Sequence, residues 1–343
     1  MFARHDPHAY DRVRVMSRKQ WAVVGAIAAT VIGLAITLAL IASVGFDAVF
    51  GILGRIGLVR FAVYASWTLV ILTFLGLGWQ LLTPGESRFT YVWARTMREA
   101  ATDVLPFSQF GGIVVALRVL IARGVAQPVA YASIIADQTA ELVAQLVYTL
   151  FGLVALALVL GKVPNQESGG MPLFGLALTG FGASVAVILA FAFAQAPMLA
   201  FAGRIGGTLL PGSAAALEDV RTRLAAIYQQ RLRLIGCFLL HLLAWVASGA
   251  GAVIALRAIG QPVPLENVII IESLIFTLRT AAFLIPGGIG VQEGAYVLIG
   301  PLFGLPAEAA LALSLAKRAR DLAVGIPAML IWQVGEARAV IKG

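Results

Sequence analysis

The sequence predicts an all-α, polytopic membrane bundle of about six full spans and two re-entrant helical hairpins of opposite orientation, arranged as an inverted repeat. Three observations carry this reading. The 343-residue chain is 60% hydrophobic and 12% charged, whereas a soluble globular protein carries about 25% charged residues. Its apolar residues come in runs of bilayer-spanning length, roughly 20 residues, because about 30 Å of hydrocarbon is crossed at about 1.5 Å per residue. Two further apolar stretches are interrupted by Pro and Gly, at Leu105-Pro106-Phe107-Ser108-Gln109-Phe110-Gly111-Gly112 and at Ile285-Pro286-Gly287-Gly288-Ile289-Gly290. No part of the chain reads as a soluble domain.

Residues 1–19 form a basic, cytoplasmic N-terminal segment, and 20–338 a single transmembrane domain. The first run, Trp21–Val44, is about 24 residues long. The apolar core of a signal peptide has about 7–15, and no small-x-small site closes this run, so an uncleaved first span is expected. Phe61–Leu82 is the second span. The stretch 91–124 opens with a polar helical pattern (Arg95, Arg98, Glu99, Asp103), breaks at Pro106, and continues as a short apolar helix to Arg123-Gly124. Tyr131–Leu160 and Pro172–Ala194 are the next spans. The segment 195–233 is basic. Within it, Ala214–Gln230 sets Leu217, Val220, Leu224 and Ile227 against Glu218, Asp219, Arg221 and Arg223, the pattern of an amphipathic helix on the cytoplasmic membrane surface or of a solvated linker helix. Leu234–Leu256 follows. The stretch 266–304 has an apolar helix bearing Glu272 and Arg279, the Pro286 break, and a short helix bearing Glu293. Ala307–Trp332 closes the bundle, with Lys317, Arg318, Arg320 and Asp321 in its first half.

Proline lacks the helical N–H and glycine favours broken backbone. Such backbone at membrane depth must be shielded by protein or line a wet cavity, so 91–124 and 266–304 are read as hairpins. Loop charges set the orientation. Five Lys or Arg precede the first span and five lie in 195–233, against one in 45–59 and one in 161–171. Short loops rich in Lys and Arg stay in the cytoplasm, which places both termini inside. The first hairpin then leaves and returns on the cytoplasmic side and the second on the outer side. Hairpin plus long span, twice, in opposite orientation is the mark of an inverted repeat. At an offset of 180 residues Pro106 meets Pro286, Gly124 meets Gly304, and Glu141 meets Asp321.

A charge at the bilayer centre costs about 2.5–3.5 kcal/mol on insertion scales, so the intramembrane charges are the candidate site. Asp137 and Glu141 share a helix face. Either they project past the hydrocarbon and are solvated, or they face the interior and meet Arg279 or Arg318. Glu272 with Arg279, and Lys317 and Arg318 with Asp321, form either an ion-pair network that locks helices or a polar cavity for an anionic group. The Pro286-Gly287-Gly288-Ile289-Gly290 break is either a structural turn capped by Glu293 or a helix N-terminus suited to phosphate. His241 reads as a packed side chain in preference to a proton relay.

The formal charge of +8 comes from 25 Lys and Arg against 17 Asp and Glu. With no soluble basic domain, it points to loop orientation and anionic lipid instead of nucleic acid. One cysteine, Cys237, allows no intramolecular disulfide, and no metal-ligand spacing occurs. No catalytic or nucleotide motif is present; neither enzymatic activity nor a cofactor is expected.

Leu105-Pro106-Phe107 followed by Gly111-Gly112, Arg118 and Asp137 resembles one half of a known pattern. Pro286-Gly287-Gly288-Ile289-Gly290-Val291-Gln292-Glu293 followed by Gly304-Leu305, Ala310 and Arg318 resembles the other. Together they look like the membrane region of lysylphosphatidylglycerol synthases and their stand-alone relatives, including a branch associated with hopanoid biosynthesis. The resemblance runs from the first span to Trp332. It implies lipid translocation, with Gly111, Gly112, Arg118, Asp137, Pro286, Gly287, Gly288, Gly290, Glu293 and Arg318 as carried-over positions. The chain departs from many relatives at Ile113, where they have an acidic residue after the Gly-Gly, and it carries no aminoacyl-transferring domain. The expected partner is a polar-headed lipid of the bacterial inner membrane, with lipid-biosynthetic enzymes as a further partner class. An ion-coupled carrier of a small solute and a non-transporting scaffold are the alternatives.

Overall fold

The structure, a computed structural model, describes residues 54–104, 108–160, 213–281 and 288–342, with scattered positions between 38 and 51 and between 175 and 193. All regular structure among these residues is helical. The first group is α1 (Gly57–Leu81), α2 (Arg88–Val104), α3 (Ser108–Ala122) and α4 (Gln127–Leu160). The second is α5 (Ser213–Gln229), α6 (Arg231–Ala258), α7 (Leu265–Ala281), α8 (Val291–Ile299), a 3-10 turn (Gly300–Phe303) and α9 (Ala307–Lys342). By length and composition α1, α4 and α6 can cross a bilayer. The expected spans at 21–44 and 172–194 fall almost wholly outside the described residues. α9 continues past Trp332 to Lys342. Its extension contains Glu336, Arg338 and Lys342, good helix formers, so the end of the apolar run is not the end of the helix.

α1 packs along α6 and α2; α4 packs against α5, α6 and α7. α2 pairs with α3 and also with α9, while α7 pairs with α8 and also with α4. Each short helix pair is therefore held by the long helix that follows the other. Small residues make these contacts close. A Cβ on Gly76 of α1 would sit 2.4 Å from the Cα of Val92 in α2, and one on Gly152 of α4 would sit 1.9 Å from Ser273 Oγ in α7. The Thr277 and Thr149 hydroxyls are hydrogen-bonded at 3.0 Å across the same α4–α7 interface. Small residues and hydroxyl bonds are how helices associate where lipid supplies no hydrophobic drive. Gly152→Val is therefore expected to cost about 1–3 kcal/mol, read as a lowered unfolding midpoint in detergent; an unchanged midpoint would mean that α4 and α7 do not touch there.

The turns that follow α3 and the 3-10 segment are built alike. Gly124 and Gly304 both adopt positive φ, 90° and 81°, which favours glycine. Val125 N–H donates to Leu120 O at 3.1 Å, and Leu305 N–H to Gly300 O at 3.0 Å. Ala130 N–H donates to Ala126 O at 3.0 Å, and Ala310 N–H to Pro306 O at 2.8 Å. All these pairs stand 180 positions apart, as do the first residues of α4 and α9, Gln127 and Ala307. The open end of each short helix pair is also clamped. The Arg123 guanidinium lies 5.1 Å from the Phe89 ring and 5.9 Å from that of Trp93, and Asn267 Nδ2 donates to Phe303 O at 3.2 Å.

The amphipathic stripe of α5 does not lie open to lipid or water. Val220, Leu224 and Ile227 are buried with Ala132, Ala136 and Ala140 of α4 and Cys237 of α6. Tyr228 and Thr139 join their hydroxyls at 3.2 Å. α5 thus covers the charged first half of α4.

Candidate functional site

Beneath α5 lies a closed charge cluster. Asp137 is 0% exposed and Glu141 is buried, so the solvated reading of this pair fails. They meet neither Arg279 nor Arg318 but two arginines of α2. Arg95 Nη2 donates to Glu141 Oε1 at 2.6 Å, and its Nη1 to Glu141 Oε2 at 3.0 Å and Asp137 Oδ2 at 3.3 Å. Arg98 Nη1 donates to Glu141 Oε2 at 3.0 Å. Glu99, a turn along α2, adds a carboxylate 2.9 Å from Arg95. The reason is helical spacing: Arg95 and Arg98 are three apart and Asp137 and Glu141 four apart, so each pair shares a face. The other Asp137 oxygen faces α6, with His241 Nε2 at 2.9 Å and the Cys237 thiol at 3.7 Å.

A second cluster joins α7, α8 and α9. Lys317 Nζ donates to Glu272 Oε2 at 2.5 Å and to the Tyr296 hydroxyl at 2.9 Å, and the Tyr296 hydroxyl donates to Glu272. Glu293 is 0% exposed. It accepts from Gly290 N–H at 2.7 Å, Arg318 Nε at 2.5 Å, Arg318 Nη2 at 3.1 Å and Ser314 Oγ at 3.2 Å. Gln292 Nε2 donates to Ser314 Oγ at 2.8 Å. Glu293 thus caps α8 and holds α9 to it. Of the two readings of this glycine turn, the cap describes the helix end itself: the N-terminus that could have met a phosphate meets Glu293 instead.

The two clusters correspond in position with their signs exchanged. Arg95 and Glu272 are each the eighth residue of their helix, α2 and α7; Asp137 and Lys317 are each the eleventh of theirs, α4 and α9. The first half pairs a cation with an anion, and the second pairs an anion with a cation.

A third group of charges is partly accessible. Asp103, near the end of α2, is exposed yet lies within electrostatic reach of Asp321, Glu99, Arg279 and Arg320. Glu99 and Asp321 have side-chain exposures of 33% and 23%, and Arg279 is half-buried. Arg320 donates to Asp321 at 2.6 Å. Arg279 makes none of the ion pairs found among the described residues. Its stem runs past Gly288, where a Cβ would come within 3.5 Å of its Cγ and Nε. Gly288 and Gly290 hold φ of 59° and 83°, so both positions suit glycine for their backbone as well.

Of the remaining candidates, Arg118 is exposed on α3. Pro286 and Gly287 lie outside the described residues. Sequence spacing alone does not pair Arg95 and Arg98 with the acidic pair, nor does it single out Tyr296, Ser314 or Gln292. Cys237 and His241 read as isolated in the sequence. Their four-residue spacing on one helix face was the available signal. Asp137, Cys237 and His241 place one donor atom each within 4.8 Å of one another, which linear spacing could not reveal because two helices contribute. Hydrogen bonds account for that grouping: Asp137 Oδ1 faces both α6 side chains and Oδ2 faces Arg95.

No curated protein and no solved structure matched the chain. A family model described as lysylphosphatidylglycerol synthase TM region matches residues 26–328. With most of its length so matched and three of its helices of membrane-crossing length and polarity, the chain belongs to the lysylphosphatidylglycerol synthase transmembrane-region family and is an integral membrane protein.

Proposed function

We propose that this protein moves a polar-headed lipid between the leaflets of a bacterial inner membrane, without catalysing a chemical change, and that its headgroup site is the accessible charge group of α2, α7 and α9. The observation that carries this reading is that Asp103, near one end of α2, and Arg279, near one end of α7, lie within electrostatic reach of each other. Charges stay water-accessible inside a membrane bundle only where water, or a polar ligand, replaces it. Arg279 is the cation best placed for a phosphate: a guanidinium presents a planar fork of donors to phosphate oxygens, and this one is not already engaged by a carboxylate in the described structure. A phospholipid headgroup suits such charges better than the hydroxyls of a hopanoid.

Helix lengths support the re-entrant reading. α2, α3, α7 and α8 have 17, 15, 17 and 9 residues, so each covers less than the roughly 30 Å of hydrocarbon at about 1.5 Å per residue. The clamps Arg123–Phe89 and Asn267–Phe303 keep the open ends of each pair level. Two hairpins entering from opposite faces, with cytoplasmic termini, bring their inner ends together at the accessible charges, in keeping with an inverted repeat whose ligand site lies between the halves.

The test is transbilayer movement of a fluorescent-headgroup phospholipid in proteoliposomes. Arg279→Ala is expected to slow it at least about ten-fold, the loss of roughly one charge-assisted hydrogen bond, with the unfolding midpoint unchanged. Wild-type movement by that variant would remove the headgroup site from this place.

A further inference from the structure

The closed cluster under α5 has a part that the headgroup site does not use. We propose that His241 and Asp137 form a proton-binding site whose occupancy sets how firmly α4 grips α2, making the proton the coupling ion. The coupling role rests on the transport reading above; the proton site does not.

His241 is fully buried on α6, and one of its nitrogens, Nε2, meets Asp137 Oδ1 at 2.9 Å. The other, Nδ1, has no hydrogen-bond partner among the described residues. A neutral imidazole that donates from Nε2 keeps Nδ1 as a bare acceptor, the position where a second proton binds. Imidazole is the side chain whose charge ordinarily changes between pH 5 and 8. His241 is the only described histidine, the other two, His5 and His8, lying outside the described residues.

Carboxylates outnumber guanidiniums around the pair. Within ion-pair distance, two guanidiniums, Arg95 and Arg98, meet three carboxylates, Asp137, Glu141 and Glu99. One negative charge is left over. The other titratable groups facing the pair are Tyr91 of α2 and Cys237 of α6. α5 contributes the apolar Val220, Leu224 and Ile227, and α1 contributes Trp79, which donates to Ser133 at 3.0 Å.

Asp137 is shared. One oxygen faces His241 on α6 and the other faces Arg95 on α2. A proton on the imidazole strengthens the first contact and draws carboxylate charge from the second, and Arg95 then depends on Glu141 and Glu99 alone. α2 is also the helix that carries Asp103 to the accessible charge group. Proton binding at His241 is thereby linked, through one helix, to the headgroup site.

The experiment uses the full chain in nanodiscs and in liposomes. The ring carbon of 13C-labelled histidine is followed by NMR from pH 5 to pH 8, with His241→Gln identifying the signal. Transbilayer movement of the fluorescent phospholipid is then measured with and without a gradient of about one pH unit, a ten-fold difference in proton activity. The wild type is expected to show a titrating His241 signal and a rate that changes several-fold with the gradient. His241→Gln, which keeps a donor for Asp137, is expected to move lipid at a rate indifferent to the gradient, and Cys237→Ser to respond as the wild type does. A His241 signal that stays fixed from pH 5 to pH 8 overturns the proton site. A titrating signal in a protein that moves lipid regardless of the gradient overturns the coupling. A titrating signal in a protein that moves no lipid upholds the proton site and sinks the transport reading instead.

Discussion

Replacing Arg95 with alanine is expected to destabilise the protein by about 3–5 kcal/mol, the cost of breaking a buried ion pair from one side. The arginine is 1% exposed and touches Asp137, Glu141 and Glu99 at once. Its removal leaves two buried carboxylates facing each other across one turn of α4, with Arg98 alone between them. The measurement is the unfolding midpoint in detergent or nanodiscs. Removing the charges together separates burial from mere contact. The quadruple change Arg95→Met, Arg98→Met, Asp137→Asn and Glu141→Gln is expected to recover most of the loss, since uncharged groups of similar size need no partner of opposite sign. A loss below about 1 kcal/mol for Arg95→Ala, the size typical of an exposed pair, would show that water reaches the cluster.

Glu293→Ala is the second large effect, about 2–4 kcal/mol, from a lost cap and a half-buried ion pair together. The carboxylate closes the start of a nine-residue helix through Gly290 N–H and holds α9 through Arg318 and Ser314. So short a helix is marginal by itself and depends on its packing and cap. The consequence is local as well as global: amide exchange at 291–303 should accelerate before the rest of the bundle opens. Glu293→Gln keeps the shape and one acceptor and should lose about half as much. Equal exchange in Glu293→Ala and wild type would remove the cap from the account.

The helices were legible because the two signals that define them here, apolar run length and Pro or Gly punctuation, are local. α2 and α3 fall within 88–122 against an expected hairpin of 91–124, and α7 to the 3-10 turn spans 265–303 against 266–304. What the sequence could not show was partnership. Arg95 and Asp137 are 42 positions apart, and His241 and Asp137 are 104 apart. Any of several intramembrane cations could have met Asp137, and the choice is made by how α2 and α6 pack on α4. Helical spacing narrows the partners to one face and stops there. α5 shows the same boundary from the apolar side: its stripe of Val220, Leu224 and Ile227 was visible, but whether lipid or protein receives it depends on where α4 lies.

The sign exchange between Arg95–Asp137 and Glu272–Lys317 limits how either position can vary over evolutionary time. Changing one member alone to the opposite charge would set like charges face to face where water cannot separate them, so a viable lineage must alter both members or pass through a neutral intermediate. Across kindred chains, residues 95 and 137 should therefore covary, and so should 272 and 317, with polarity in each couple open to reversal and mutual neutrality the quantity that is kept.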